Sequence, residues 1–123
     1  LKLAANLGES QDGAVSFVFP GFHLKLLRMP GDLVRAHVIV TGKVQGVNYR
    51  NNTVKQALAR GVSGWVRNLH DGRVEFVAEG SQRQVAEILT WSERGPRNAE
   101  VQSVDVSWEA PQGEVSFARR SDA

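Results

Sequence analysis

The sequence predicts an α+β fold: a ferredoxin-like βαββαβ sandwich with a short fifth strand, its antiparallel sheet carrying two helices on one face. Three observations predict it. Segments of period two and of helical period follow one another as strand, helix, strand, strand, helix, strand from Val34 onward. Asp71–Gly72 marks a tight turn between the two middle strands. Ser81–Gln82–Arg83–Gln84 has the form of a capping box opening the second helix.

The elements follow in order. Val34–Thr41 places Val34, Ala36, Val38 and Val40 on one alternating face, the pattern of a half-buried strand. Gly42–Asn48 reads as a loop, and Tyr49–Arg60 as a helix whose apolar stripe is Val54, Ala57 and Leu58, stopped by Gly61. Gly64–Asn68 is a second strand beginning near Val62. It forms a hairpin with Arg73–Glu79, which alternates Val74, Phe76 and Ala78 with polar neighbours. The second helix buries Val85, Ile88 and Leu89, runs on through Trp91 and Ser92, and ends at Gly95–Pro96. Val101–Trp108 supplies a fourth strand with Val104, Val106 and Trp108 on one face. Pro111–Gly113 then turns the chain, and Val115 and Phe117 supply a short last strand.

At 123 residues the chain has room for one compact domain and hardly two. Residues 34–119 are expected to be that domain, with 120–123 a C-terminal tail. Residues 1–33 lack a sustained period and lack the continuous apolar stretch of a signal peptide. The only methionine is Met29. Residues 1–33 are therefore expected to be a disordered leader or an expression-derived extension.

Composition narrows the function. With no cysteine, disulfides, thiolate metal sites and cysteine nucleophiles are excluded, which fits a cytoplasmic protein. A net charge of +2 without a dense Lys/Arg block is a weak case for nucleic acid. No apolar run reaches the roughly 20 residues a membrane span requires. The expected partner is a small molecule, with no nucleic acid and no membrane, and a single small domain points to a monomer.

The chemistry-bearing segment is Gly42–Arg50 (GKVQGVNYR), which joins the first strand to the start of the first helix. Backbone N–H groups at a helix start lack intrahelical partners, and the helix dipole adds partial positive charge there. Gly42 and Gly46 let the backbone curl so that successive N–H groups converge on an anion. Arg50 stands at the mouth of this nest, where its planar fork suits two phosphate oxygens. The spacing is neither a nucleotide P-loop nor a dinucleotide fingerprint. Taken alone, such a loop is more often a plain surface connection whose arginine makes a surface salt bridge than an anion site.

Together with Gly64–Asn68 (GWVRN), Asp71–Glu75 (DGRVE) and the Gly95–Pro96 stop, the loop resembles the acylphosphatase family, from about Arg35 to Phe117. The resemblance implies hydrolysis of acyl phosphates without cofactor or metal. It implies that Arg50 binds the substrate phosphate and that Asn68 holds the attacking water. The backbone of Gln45, Gly46, Val47, Asn48 and Tyr49 then forms the phosphate cradle. Two positions depart from the family pattern. Tyr49 stands where Phe is commonest, so its hydroxyl needs a partner or solvent. Asn48 stands where a small residue is common, and Asn tolerates the left-handed conformation better than most.

The site residues so implied, Gln45–Arg50 and Asn68, include no carboxylate, cysteine or histidine. An acyl phosphate does not need one, because its leaving group is a carboxylate whose conjugate acid has a pKa of roughly 4. Positioning and charge stabilisation suffice for direct attack of water on phosphorus. Elsewhere the plainer readings hold. His70 and Asp71 serve the hairpin turn, and His23 and His37 lack metal-ligand spacing. Trp65, Phe76 and Trp108 are packing residues, while Arg67 and Arg73 are solvated. Two rival functions share the layout: a non-catalytic phosphate-binding or regulatory domain, and an RNA-binding βαββαβ module. The second requires aromatics on the central strands, and Arg73–Glu79 offers only Phe76.

Overall fold

The computed structural model describes residues 7–9, 14–19 and 22–27 as backbone and residues 33–123 in full. Strands β1 (Leu7–Glu9), β2 (Ala14–Phe19) and β3 (Phe22–Leu27) pair antiparallel as a three-stranded sheet. The rest of the expected leader and the side chain of His23 lie outside the described residues.

From residue 34 the elements are β4 (Val34–Lys43), α1 (Tyr49–Arg60), β5 (Ser63–Asn68), β6 (Val74–Gly80), α2 (Gln82–Arg94), β7 (Glu100–Glu109) and β8 (Phe117–Arg119). They form one five-stranded sheet in the order β7-β4-β6-β5-β8. Neighbours among the first four strands are antiparallel, as the sequence predicts. The short fifth strand β8 instead pairs parallel to β5, so the sheet is mixed.

The alternation in β4 has a simple outcome. Ala36, Val38 and Val40 are fully buried in one core with Val74, Phe76 and Ala78 of β6 and the inner residues of both helices. Arg35 and His37 point to the opposite face, where His37 Nε2 lies 2.6 Å from Glu75 Oε2 and Arg67 Nε donates to Glu75 Oε1 at 2.6 Å. Trp65 on that face lies under the guanidinium groups of Arg67 and Arg120, at 5.0 and 4.3 Å from the ring centroid. Arg67 is thus ion-paired, whereas the sequence suggested a solvated group. Phe76, the one aromatic of the third domain strand, is fully buried in the core.

Two apolar assignments fail for physical reasons. The inner row of α1 is Tyr49, Thr53 and Ala57, which turns Leu58 out to 63% exposure. Thr53 tolerates burial because its hydroxyl donates to the Tyr49 carbonyl at 2.8 Å. Val115 is 93% exposed, because the chain ahead of β8 is held by polar contacts instead of an apolar strand. Those contacts centre on Glu79, whose carboxylate accepts the backbone N–H groups of Gln112, Gly113 and Glu114 at 2.7–3.1 Å and Arg35 Nη1 at 2.5 Å.

Helix α2 begins as predicted. Ser81 Oγ accepts from the Gln84 N–H at 3.2 Å, and Gln84 Oε1 accepts from the Ser81 N–H at 2.8 Å. Among the described residues no helix is long and apolar enough to cross a membrane.

Candidate active site

The site is built where β4 gives way to α1. The β4–β7 register shifts between Thr41 and Gly42, a bulge that re-aims the chain. At Gly42, with φ 133°, a Cβ would lie 2.2 Å from the Glu100 carbonyl oxygen, so only glycine fits. The loop beyond it alternates hands: Gly46 has φ 72° and Asn48 φ 67°. Such alternation makes successive N–H groups converge into a nest.

Asn48 is the N-cap of α1, but its side chain caps nothing. Its Oδ1 accepts instead from Asn51 Nδ2 at 3.2 Å. Among the described residues, no hydrogen bond engages the backbone N–H groups of Gln45, Gly46, Val47, Asn48 or Tyr49. The donors that a helix start leaves over are therefore open, as the sequence led us to expect.

All seven sequence-predicted site residues, Gln45–Arg50 and Asn68, line one cleft of about 640 Å³. Arg50, at the first turn of α1, is partly exposed and donates from Nη1 to Asp122 Oδ1 at 3.1 Å. That uses one of the five N–H donors of its guanidinium. Asn68, the last residue of β5, is 8% exposed, and its Oδ1 is buried without a hydrogen-bond partner. A buried acceptor left bare costs about 1–3 kcal/mol, so its presence calls for a ligand or a function.

Tyr49 resolves the first departure. Its ring is buried and tilted against Trp91, with centroids 5.3 Å apart, and its hydroxyl donates to the Ser92 carbonyl at 2.7 Å. Burial pushes the phenol's pKa well up, and the hydrogen bond to Ser92 offsets only part of that. Tyr49 is thus neutral core, and only its backbone faces the nest.

Three contributors escaped the sequence reading. The Gln45 side chain ties the nest to the hairpin turn, donating to the carbonyls of Leu69 at 2.7 Å and Arg73 at 2.9 Å. The tail at 120–123 joins the site: Ala123 N–H donates to the Asn68 carbonyl at 3.0 Å, and His70 N–H to the Ala123 carbonyl at 2.6 Å. Arg97 and Arg119 lie in the cleft wall. The one local signal in the sequence that could have pointed to any of these is the adjacent basic pair Arg119–Arg120. His70 and Asp71 stay with the turn as expected. Asp71 Oδ2 accepts from Arg73 Nε at 2.8 Å, a bond that lowers the carboxyl's pKa.

The fold and the cleft define a ferredoxin-like domain in which open backbone N–H groups and a bare amide oxygen line one cleft. A family model described as acylphosphatase matches residues 36–119. The acylphosphatase of Roseiflexus sp. (strain RS-1) is 53% identical over 83 residues, covering 68% of this chain and 89% of that protein. Two solved structures are similar. An acylphosphatase from Coxiella burnetii has a TM-score of 0.70 at 35% identity, covering 72% of this chain and 94% of that one. The acylphosphatase from Bacillus subtilis has a TM-score of 0.69 at 31% identity, covering 71% and 98%. The chain belongs to the acylphosphatase family.

Proposed function

We infer that the protein is an acylphosphatase, hydrolysing acyl phosphates to a carboxylate and inorganic phosphate. The observation that carries this reading is the set of open N–H groups at Gln45–Tyr49, lining one cleft with Arg50 and Asn68 in a chain of this family.

The N–H groups and the guanidinium of Arg50 bind the phosphoryl oxygens and follow the charge that develops on them. Asn68 Oδ1 accepts a hydrogen bond from the attacking water and aims it at phosphorus. The water oxygen forms the new P–O bond while the bond from phosphorus to the acyl oxygen breaks. The carboxylate leaves with the electron pair, and the water's proton passes to a phosphate oxygen. None of the residues lining the cleft is acidic. A carboxylate leaving group needs no proton donor, since its conjugate acid has a pKa of roughly 4. No metal or other cofactor enters this scheme.

The partner is a small acyl phosphate, and neither nucleic acid nor a membrane is needed. We take the protein to be a cytoplasmic monomer, a reading supported by its lack of cysteine and its single small catalytic domain. Residues 34–119 form the catalytic unit, supported by a family match that begins at residue 36. Protein expressed from Met29 should fold and retain full turnover; failure in either respect would remove that boundary.

Benzoyl phosphate hydrolysis in EDTA tests the activity, with Arg50→Ala as the control. Sustained turnover by the unaltered protein and its collapse in the variant are expected. No hydrolysis, or loss of hydrolysis in EDTA, would overturn the proposal.

A further inference from the structure

The cleft is larger and more basic than a phosphate handle requires. Beyond the nest its wall includes Arg97 and Arg119, and no acidic residue lines it. The neighbouring acid, Asp122, is already paired with Arg50.

Arg97 is held in place by the turn Pro96–Ala99. The Ala99 N–H donates to the Pro96 carbonyl at 3.1 Å, and Asn98 takes the left-handed conformation with φ 79°. A positive φ at the third position is the geometry of a type II turn, which puts Arg97 at its exposed second corner. The turn is anchored through Tyr49. A Cβ at Gly95 would lie 2.7 Å from Tyr49 Cε2, so the backbone at 95 packs directly on the ring. The buried residue that precedes Arg50 thus also fixes the loop that carries Arg97. Among the described residues Arg97 has no hydrogen-bond or ion-pair partner. Arg119, on β8, donates from Nη1 to Asn51 Oδ1 at 2.7 Å. That contact orients the guanidinium without neutralising it.

We propose that Arg97 and Arg119 bind a second anionic group carried on the acyl portion of the substrate. The preferred substrates are then acyl phosphates whose acyl group bears a carboxylate or a further phosphate. This deepens the acylphosphatase reading and rests on it. Each arginine is exposed, so each alone contributes modestly. A cleft lined by one sign of charge focuses its field on an incoming anion, and a guanidinium offers a fork for two oxygens.

The test compares kcat/KM for 4-carboxybenzoyl phosphate and benzoyl phosphate, two rigid substrates that differ in one carboxylate. The carboxylated-to-plain ratio is expected to fall roughly five-fold in Arg97→Gln with Arg119→Gln, the size of rim-charge effects. It should also fall with rising salt in the unaltered protein and respond less in the double variant. Arg97→Gln alone sits on an exposed turn and should show part of the drop, which keeps the test decisive if the pair disturbs β8. A ratio equal in variant and unaltered protein, or insensitive to salt in both, would overturn the proposal. Benzoyl phosphate left intact by the unaltered protein would instead defeat the acylphosphatase reading itself.

Discussion

Two regions at opposite ends of β6 solve the same electrostatic problem differently. At Glu79, three backbone N–H groups from residues 112–114 and the guanidinium of Arg35 converge on a carboxylate supplied by the chain itself. At the β4–α1 junction, the N–H groups of Gln45–Tyr49 and the guanidinium of Arg50 line a cleft whose wall contributes no anion. The first nest is closed: Arg35 and Glu79 are both at most 5% exposed. The second is open, and its arginine is partly exposed. Donors grouped in a folded chain must meet an acceptor. Where the chain supplies the acceptor the result is a fastening, and where it withholds one the donors stay open, as the proposed binding of a phosphate requires.

The contrast is broken most severely at Arg50. Arg50→Ala removes the guanidinium from the open nest and should lower kcat/KM by about 10²–10³-fold, as for loss of one transition-state donor. Steady-state kinetics with benzoyl phosphate reads this directly. Melting temperature should barely move, because the pair with Asp122 is exposed. A variant with normal rates would leave the open nest without a catalytic role.

The equivalent injury to the closed nest should cost stability. Glu79→Gln keeps an acceptor for some of the N–H groups but strips the charge facing Arg35. The loss should be on the order of 3 kcal/mol, at the low end for a broken buried pair because Glu109 and Glu114 also bind Arg35. Urea unfolding measures it.

pH sharpens the same point. Burial pushes the Glu79 carboxyl up, but the backbone donors and Arg35 more than offset this and hold it below its ordinary 4.5. A depressed carboxylate stabilises the fold fully above its unfolded value. That stability is lost as pH falls from about 4.5 through the lower folded value. Glu75, lowered by His37 and Arg67 against its own burial, loses its share in the same direction. Unfolding midpoints should therefore drop below pH 4.5, and drop less in Glu79→Gln. An equal drop in both proteins would remove Glu79 from the account.

Asn68→Ala comes next. It deletes the bare amide oxygen, and a roughly ten- to hundred-fold fall in kcat with a smaller change in KM is expected, because a water-aligning group acts chiefly in the transition state. A rise in KM with unchanged kcat would make Asn68 a ground-state binding residue instead.

How much of the contrast could be read beforehand depended on range. The open nest was legible because its parts are local: a strand's alternation, a glycine-rich connection and a helix start fall within residues 34–60. Asn68 required a second motif and a family resemblance, since nothing in GWVRN by itself points to water. The closed nest was invisible. It joins Arg35, Glu79 and residues 112–114, and contacts separated by 33–79 positions leave no periodic trace. The same applies to Asp122 beside Arg50 and to the Gln45 bridge to Leu69 and Arg73. Leu58 and Val115 misled for the opposite reason. Both are apolar at plausible spacing, yet the packing of Tyr49 sets the rotation of α1 and Glu79 sets the path ahead of β8.

The smallest predicted effect asks whether the open nest can be converted into a closed one. Asn48 already has the left-handed backbone that Asp also tolerates, so Asn48→Asp changes charge with little backbone cost. A carboxylate at the start of α1 interacts favourably with the helix dipole, worth about 0.3–1 kcal/mol. The same carboxylate would contend with the substrate phosphate for the donors of Gln45–Tyr49. Melting temperature is expected to rise slightly while KM for benzoyl phosphate rises roughly five- to ten-fold, equivalent to about 1–1.4 kcal/mol of lost binding. Opposite signs in the two measurements are the signature of an internal anion filling a site kept open for an external one. If stability and affinity moved together, the open donors at the start of α1 would not be the phosphate site, and the difference between the two nests would be structural only.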